Sequence, residues 1–250
     1  MNILQTIILA ITQGVTEFLP ISSSGHLAVL QILWNLPKTS IAFNTLLHFG
    51  TLGAILAVFS QEIKEIFHNR NWQLIKLIII GTIPAAIFGF FFQTKIESSF
   101  FSLKFIGLSF LITALFLLST KYSKAQKDTI SWLDALIIGI AQAAALFPGI
   151  SRSGFTISAG LLRKLKPEIA YRFSFLLALP IILGAVILQL PALLQQGENS
   201  YLLGGIGMLI SFFIGIISLK ILEKILKRGK YFWFSLYLII LSMVILIEVC

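Results

Sequence analysis

The chain is short of cysteine and of charge, and each shortage removes a class of explanation. Cys250 is the only cysteine among 250 residues, so an intrachain disulfide and a thiolate metal cluster are both ruled out, and the redox compartment stays unread. Charged residues make up 12% of the chain against 57% hydrophobic, and the mean hydropathy is +0.95. That balance is far too apolar for a soluble domain of this length and marks a polytopic membrane protein. Acidic residues are scarcest, ten against nineteen Lys and Arg, giving a net charge of +9. No basic helix or aromatic and basic module accompanies the excess. Nucleic acid is therefore not expected as a partner, and the cations read as cytoplasmic-loop residues. The opening MNILQTIILAITQ lacks a basic n-region and runs into Gln13 and Glu17, unlike a cleaved signal peptide.

What is there centres on residues 139–155, GIAQAAALFPGISRSGF, where Arg152 sits between two serines in an apolar run. A charge at bilayer depth costs roughly 2.5 to 3.5 kcal/mol on insertion scales, so it faces a protein interior or an aqueous cavity and marks function. Pro148, Gly149, Ser151, Ser153 and Gly154 break the helix there and free backbone N–H groups, the makings of a phosphate cradle. A shift of 129 residues lays this stretch on an earlier one, with seven identities in the sixteen positions from 11 to 26: Ile11, Gln13, Phe18, Ile21, Ser22, Ser24 and Gly25. The first copy carries Glu17 and His26 opposite Leu146 and Phe155, and the second carries Arg152 opposite Ser23. One half brings an acid and an imidazole, the other a fixed cation.

The expected fold is all-α. It has six transmembrane helices plus two re-entrant helical hairpins in an inverted-topology repeat, residues 1–125 and 126–250 of a single membrane domain. Residues 3–18 and 26–36 form the first hairpin around a tip at Pro20 to Gly25. Spans follow at 43–60, 74–92 and 103–120. Residues 131–147 and 155–165 form the second hairpin, with spans at 168–190, 202–221 and 232–249. Three crossings per half invert the second copy, so the two tips enter from opposite faces and meet in the middle. Thirteen Lys and Arg on the side of the odd-numbered connections, against Lys38, Lys95 and Lys104 on the other, place both termini outside. Trp34, Trp72, Trp132 and Trp233 fall at segment ends as interfacial anchors.

Gln13 and Glu17, four apart, share a helix face one turn ahead of the tip. Acid, hydroxyls and imidazole together suit metal ligation or proton transfer. The blander reading pairs Glu17 with Arg152 and leaves His26 and the serine run unexplained. Ser22, Ser23 and Ser24 also suit helix capping, which is compatible with binding phosphate at the same helix terminus. His48, with Asn44 one turn earlier, reads as an interhelical hydrogen bond in preference to a substrate contact. His68 reads as solvated, and Arg172 as snorkelling to headgroups.

QGVTEFLPISSSGH, PGISRSGFT, EIAYRFSFLLALP and GTIPAAIFG together resemble the undecaprenyl-diphosphate phosphatase family, the BacA type. The resemblance implies an inner-membrane enzyme that hydrolyses undecaprenyl diphosphate to the monophosphate, recycling the lipid carrier for cell-wall polymers. It implies a site opening to the outer face and activity with a divalent cation, Mg²⁺ or Ca²⁺. Residue by residue it assigns Glu17 to the second acid of the first motif, His26 to its histidine, Ser22 and Ser23 to its serine pair, and Ser151, Arg152, Ser153 and Thr156 to the phosphate-binding motif. Gln13 stands where the family has Glu or Gln, leaving Glu17 as the single carboxylate for a metal. Glu17, His26, Arg152 and Ser23 are thus the catalytic candidates. Gln13, Ser22, Ser24, Gly25, Gly149, Ser151, Ser153, Gly154 and Thr156 are the substrate-binding ones. His26 acts as nucleophile, or as base for Ser23 or water; the residues do not choose. The expected partners are a polyprenyl diphosphate and membrane lipids, and homo-oligomers are compatible with the sequence. A transporter of a prenyl phosphate or other anion is the rival, since inverted repeats with broken helices also build transporters.

Overall fold

A computed structural model describes residues 1–36, 40–194 and 198–249; Lys38 and Cys250 lie outside the described residues. All elements within them are helical, apart from one isolated bridge between Lys127 and Leu165. The first half comprises α1 (Ile3–Thr16), α2 (Ser23–Leu33), α3 (Ser40–Val58), α4 (Ser60–His68), α5 (Trp72–Ser99) and α6 (Leu103–Ser119). The second comprises α7 (Trp132–Ala144), α8 (Arg152–Leu162), α9 (Pro167–Leu194), α10 (Glu198–Lys227) and α11 (Phe234–Val249). Among the described residues, α5, α6, α9, α10 and α11 are long and apolar enough to cross a membrane, and α3 with α4 makes up to a sixth. The expected span 43–60 is α3; the chain then bends by 64° into α4, whose Gln61, Glu62, Lys64 and Glu65 suit a polar surface.

Two expected boundaries move. Helices α2 and α8 begin at Ser23 and Arg152, not at His26 and Phe155. The reason is capping: the Ser22 hydroxyl accepts from the Gly25 N–H at 3.3 Å, and the Ser151 hydroxyl from the Gly154 N–H at 3.0 Å. Each cap satisfies a donor that would otherwise be stranded, so the residues expected in a non-helical tip form a first helical turn instead. Arg172 also departs from expectation, since it pairs with Glu62 at 2.8 Å.

The short helices are held by the opposite half. Helix α1 packs on α10, and α7, its counterpart under the 129-residue shift, packs on α5. Backbones touch at this second contact: a Cβ on Gly139 would lie 2.3 Å from the Gly81 carbonyl oxygen. Small residues permit such approach where apolar side chains gain nothing by leaving lipid. Helix α9 is central, burying Phe173, Phe175, Leu177 and Ala178 against neighbours on α3, α5 and α8. Phe18, Phe59, Tyr171 and Phe175 form one aromatic cluster in that core.

The outer ends of α7 and α8 are clasped by charge. Asp134, fully buried, accepts from Arg163 at 2.7 Å, from Lys127 at 3.1 Å and from the Ser131 hydroxyl at 2.7 Å. Beside it the Lys127 and Lys164–Lys166 backbones exchange hydrogen bonds, and Lys166 pairs with Asp128. Burial opposes ionisation of Asp134, but the hydrogen bonds from Ser131, Arg163 and Lys127 outweigh it and hold the carboxyl below the usual carboxylate range. A lowered folded value means the contribution is complete above the unfolded value of about 3.9 and is lost only as pH falls through the folded one. Asp134→Asn should therefore cost about 1 to 3 kcal/mol at neutral pH. Thermal unfolding of both proteins across pH should show that gap holding steady down to about pH 5 and closing only well below pH 4.

Candidate active site

The two helix pairs meet at their turns. After α1, residues Glu17 to Ser22 reverse the chain, with Phe18 buried against Phe175. Ser22 itself has φ 68°, a backbone that a serine seldom adopts and that clusters at functional sites. In the second turn Gly149 has φ +92°, and a Cβ there would lie 2.6 Å from the Ser109 side chain. Thr113 of α6 braces this turn by donating to the Gly149 carbonyl at 3.0 Å and accepting from the Ser151 N–H at 3.2 Å. A Cβ on Gly25 would fall 2.8 Å from the Gly149 Cα, so the two turns are in backbone contact. Ser153 crosses between them, its hydroxyl donating to the Leu19 carbonyl at 3.2 Å.

Charge crosses the same seam. Arg152 Nη2 donates to Glu17 Oε1 at 2.8 Å, and its guanidinium carbon stands 5.6 Å from the Phe175 ring centre. The Glu17 Oε2 accepts from the Ser23 hydroxyl at 2.5 Å and from Gln13 Nε2 at 3.1 Å. Gln13 Nε2 also donates to His48 Nδ1 at 2.9 Å, and that nitrogen lies 3.6 Å from Glu17. Two buried polar atoms facing this cluster have no partner: Arg152 Nη1 and Gln13 Oε1. A buried guanidinium nitrogen and a buried amide oxygen left open are what an anion and a cation, respectively, would complete.

The expected residues fall into three groups. Gln13, Glu17, Ser23 and Arg152 form the bonded centre. Ser22, Ser24, Gly25, Gly149, Ser151, Ser153 and Gly154 build the turns around it, with Ser22 near Ser24 at 3.2 Å and Ser151 near Ser153 at 3.4 Å. Thr156 stands behind Arg152, its hydroxyl held by the Arg152 carbonyl at 2.8 Å and by Ser174 at 2.6 Å. His26 is the outlier. It shares no hydrogen bond or ion pair with Glu17, Ser23 or Arg152; its Nδ1 meets the Ser22 carbonyl at 2.8 Å and its Nε2 meets the Tyr237 hydroxyl at 2.7 Å. His48 is an interhelical hydrogen-bond partner as the sequence suggests, with Gln13 in place of Asn44, which pairs with Gln31. Thr113, Tyr231 and Tyr237 were invisible in the sequence, because each acts from a distant span with no motif of its own, and Phe175, though inside EIAYRFSFLLALP, was given no part in the site. Tyr231 steadies the second turn by donating to the Ser153 and Gly154 carbonyls.

Among the described residues no group of three or more His, Cys, Asp or Glu could hold a metal. The open Gln13 oxygen beside Glu17 nevertheless offers two hard oxygen ligands, the set that suits a divalent cation sharing substrate phosphates.

Such a fold and site define a class: a polytopic membrane protein with a polar, charged centre buried where two pairs of short helices meet at their turns. The chain belongs to the family described as bacitracin resistance protein BacA, whose model matches residues 6–244. It is 41% identical to the undecaprenyl-diphosphatase of Carboxydothermus hydrogenoformans, over 99% of this chain and 97% of that one. It is 46% identical to the undecaprenyl-diphosphatase of Thermosipho melanesiensis, over 94% and 95%, and 41% identical to that of Korarchaeum cryptofilum, over 98% and 99%.

Removing either member of the buried pair strands the other. Glu17→Ala and Arg152→Ala should each destabilise by about 3 kcal/mol or more, and the double variant by much less than the sum. Denaturant titration of all four proteins in micelles checks this; additive losses would mean that the two charges are not paired.

Proposed function

We propose that the protein hydrolyses undecaprenyl diphosphate to undecaprenyl phosphate and inorganic phosphate. The observation that carries the reading is the single bonded chain Ser23–Glu17–Arg152, which puts a hydroxyl, a proton acceptor and a phosphate-binding cation in contact. Arg152 grips the terminal phosphate through its open Nη1 while Nη2 stays on Glu17. The Ser23 oxygen attacks the terminal phosphorus as its proton passes to Glu17 Oε2, and the bond to the bridging oxygen breaks to release the monophosphate lipid. Water then cleaves the phosphoserine. His26, three residues along α2 from Ser23 and on the same helix face, is the proton acceptor for that water. His26 as base for Ser23 is disfavoured, since the hydroxyl already points at Glu17.

A divalent cation, Mg²⁺ or Ca²⁺, would be held by Glu17 and the Gln13 carbonyl and would neutralise charge on the diphosphate. The helix pairs α1–α2 and α7–α8 are read as re-entrant hairpins of an inverted repeat, residues 1–125 and 126–250, supported by the crossed packing of α1 on α10 and α7 on α5. The basic connections gather at one end. Lys127 bridges to Leu165, Lys121 lies over the Phe232 ring, and Glu62, Glu168, Arg172, Glu223 and Lys227 line one cavity. That end is assigned to the cytoplasm, with both termini outside and the site opening to the outer face of the inner membrane. The crossed packing also suits a transporter of a prenyl phosphate, which would need no proton acceptor at Ser23.

Purified protein in detergent micelles, which have no compartments, should release phosphate from undecaprenyl diphosphate, and a chelator should depress that release. Ser23→Ala should lower kcat by about a thousandfold or more while the protein stays folded. Absence of release from wild type would favour transport, and a nearly active Ser23→Ala would remove the nucleophile.

A further inference from the structure

His26 is held by three elements, and the farthest of them is assigned no part in the reaction above. Its Nδ1 lies 2.8 Å from the Ser22 carbonyl, an atom that only accepts, so Nδ1 carries the proton. Its Nε2 lies 2.7 Å from the Tyr237 hydroxyl and is left with a lone pair that only a donor can meet. The two rings lie within 8° of parallel at 5.8 Å, and Phe110 closes a third side, edge-on at 5.1 Å. Tyr237 is not free to drift from this position. Its helix, α11, is pinned to α6 by the Ser242 hydroxyl, which donates to the Gly107 carbonyl at 2.7 Å, and by Leu246 packed on Gly107. The Ser22 carbonyl is fixed in turn by the left-handed backbone that Ser22 adopts, and it also accepts the His26 N–H. The imidazole is therefore gripped at both nitrogens by groups that belong to opposite halves of the chain.

We propose that Tyr237 relays the proton to His26 in the phosphatase reaction: its hydroxyl donates to Nε2 of the neutral Nδ1–H tautomer and holds that basic nitrogen in place for the transfer. The role rests on the hydrolase reading, in which His26 must accept a proton from water. Because the Tyr237 hydroxyl donates to the one lone pair on Nε2, the water's proton passes to the Tyr237 oxygen as the Tyr237 proton moves onto Nε2, leaving hydroxide at the phosphorus and the added charge on the imidazole; a ring already protonated at Nε2 or free to flip cannot take it. The hydroxyl fixes tautomer and ring orientation before substrate arrives, which a phenylalanine of the same shape does not.

The test is Tyr237→Phe in the full chain, purified in micelles and labelled with ¹⁵N-histidine. The protein has three histidines, so a His26→Gln sample identifies the His26 signals. In wild type the His26 Nε2 should resonate as an unprotonated, hydrogen-bonded nitrogen and Nδ1 as a protonated one. In Tyr237→Phe the Nε2 signal should move towards that of a free, unbonded imidazole nitrogen. Per folded molecule, kcat should fall about tenfold to a hundredfold, the range expected for a lost hydrogen bond to a working group, with KM within about threefold. An unmoved Nε2 signal overturns the contact. A moved signal with kcat within about twofold of wild type overturns the role, as does a loss of activity that merely tracks loss of folded protein. Wild-type protein that releases no phosphate would sink the hydrolase reading instead, and the nitrogen shifts would still decide whether Tyr237 holds His26.

Discussion

The ion pair between Glu17 and Arg152 is the constraint on which the rest of the structure depends. Either charge buried alone would cost several kcal/mol, and the two sit at helix ends, Glu17 at the close of α1 and Arg152 at the start of α8. Because the partners come from turns 135 residues apart, neither half of the chain can fold around its own charge. Pairing them forces the turns into backbone contact, which in turn demands glycine at positions 25 and 149. The crossed packing of α1 on α10 and α7 on α5 follows the same requirement, for the two halves must interlock if their turns are to meet.

The pair is kept incomplete on one side. Ser23, Gln13 and Arg152 take three of the roughly four acceptor sites on the Glu17 oxygens, whereas Arg152 Nη1 and Gln13 Oε1 have nothing to bond. A fully satisfied network would rigidify the site and leave no reason for a ligand to enter. An unmet buried donor and an unmet buried acceptor each carry a desolvation cost that a bonding partner would relieve. The aromatic cluster of Phe18, Phe59, Tyr171 and Phe175 underlies Arg152 and keeps the dielectric low there, which strengthens every contact the guanidinium makes.

Much of this was legible before any coordinates. The 129-residue repeat located both turns, and the oddity of Arg152 in an apolar run showed that it needs partners; its pairing with Glu17, the blander reading, is the one the structure contains. Helix positions were legible from apolar run lengths, but helix starts were not. Ser151, read as a breaker, is a cap, as is Ser22, for which capping was already one reading, and a cap moves the boundary by three residues without altering composition. The contacts of His26 were not legible for a different reason. Its nearness to Ser23 along the chain says nothing of the ring's direction, which is set by what packs beside it, here Phe110 and Tyr237 from helices far along the chain. His48 reached Glu17 by the same kind of tertiary accident, through Gln13, and no spacing in the sequence announces it.

Charge balance explains why one acid and one arginine do not make a complete diphosphate site. Glu17 and Arg152 cancel, and His26 and His48 are engaged through a carbonyl, a hydroxyl and an amide, none of which adds charge. A diphosphate brings about two to three negative charges, and placing them beside a neutral centre in a medium of low dielectric would cost several kcal/mol. Among the described residues Lys127 and Arg163 are paired with Asp134, and Arg172 with Glu62, so those cations are engaged elsewhere. Gln13 adds an amide beside Glu17 and no charge, so the centre keeps a single carboxylate that Arg152 alone balances; a second carboxylate at that position would leave a buried negative charge without a partner.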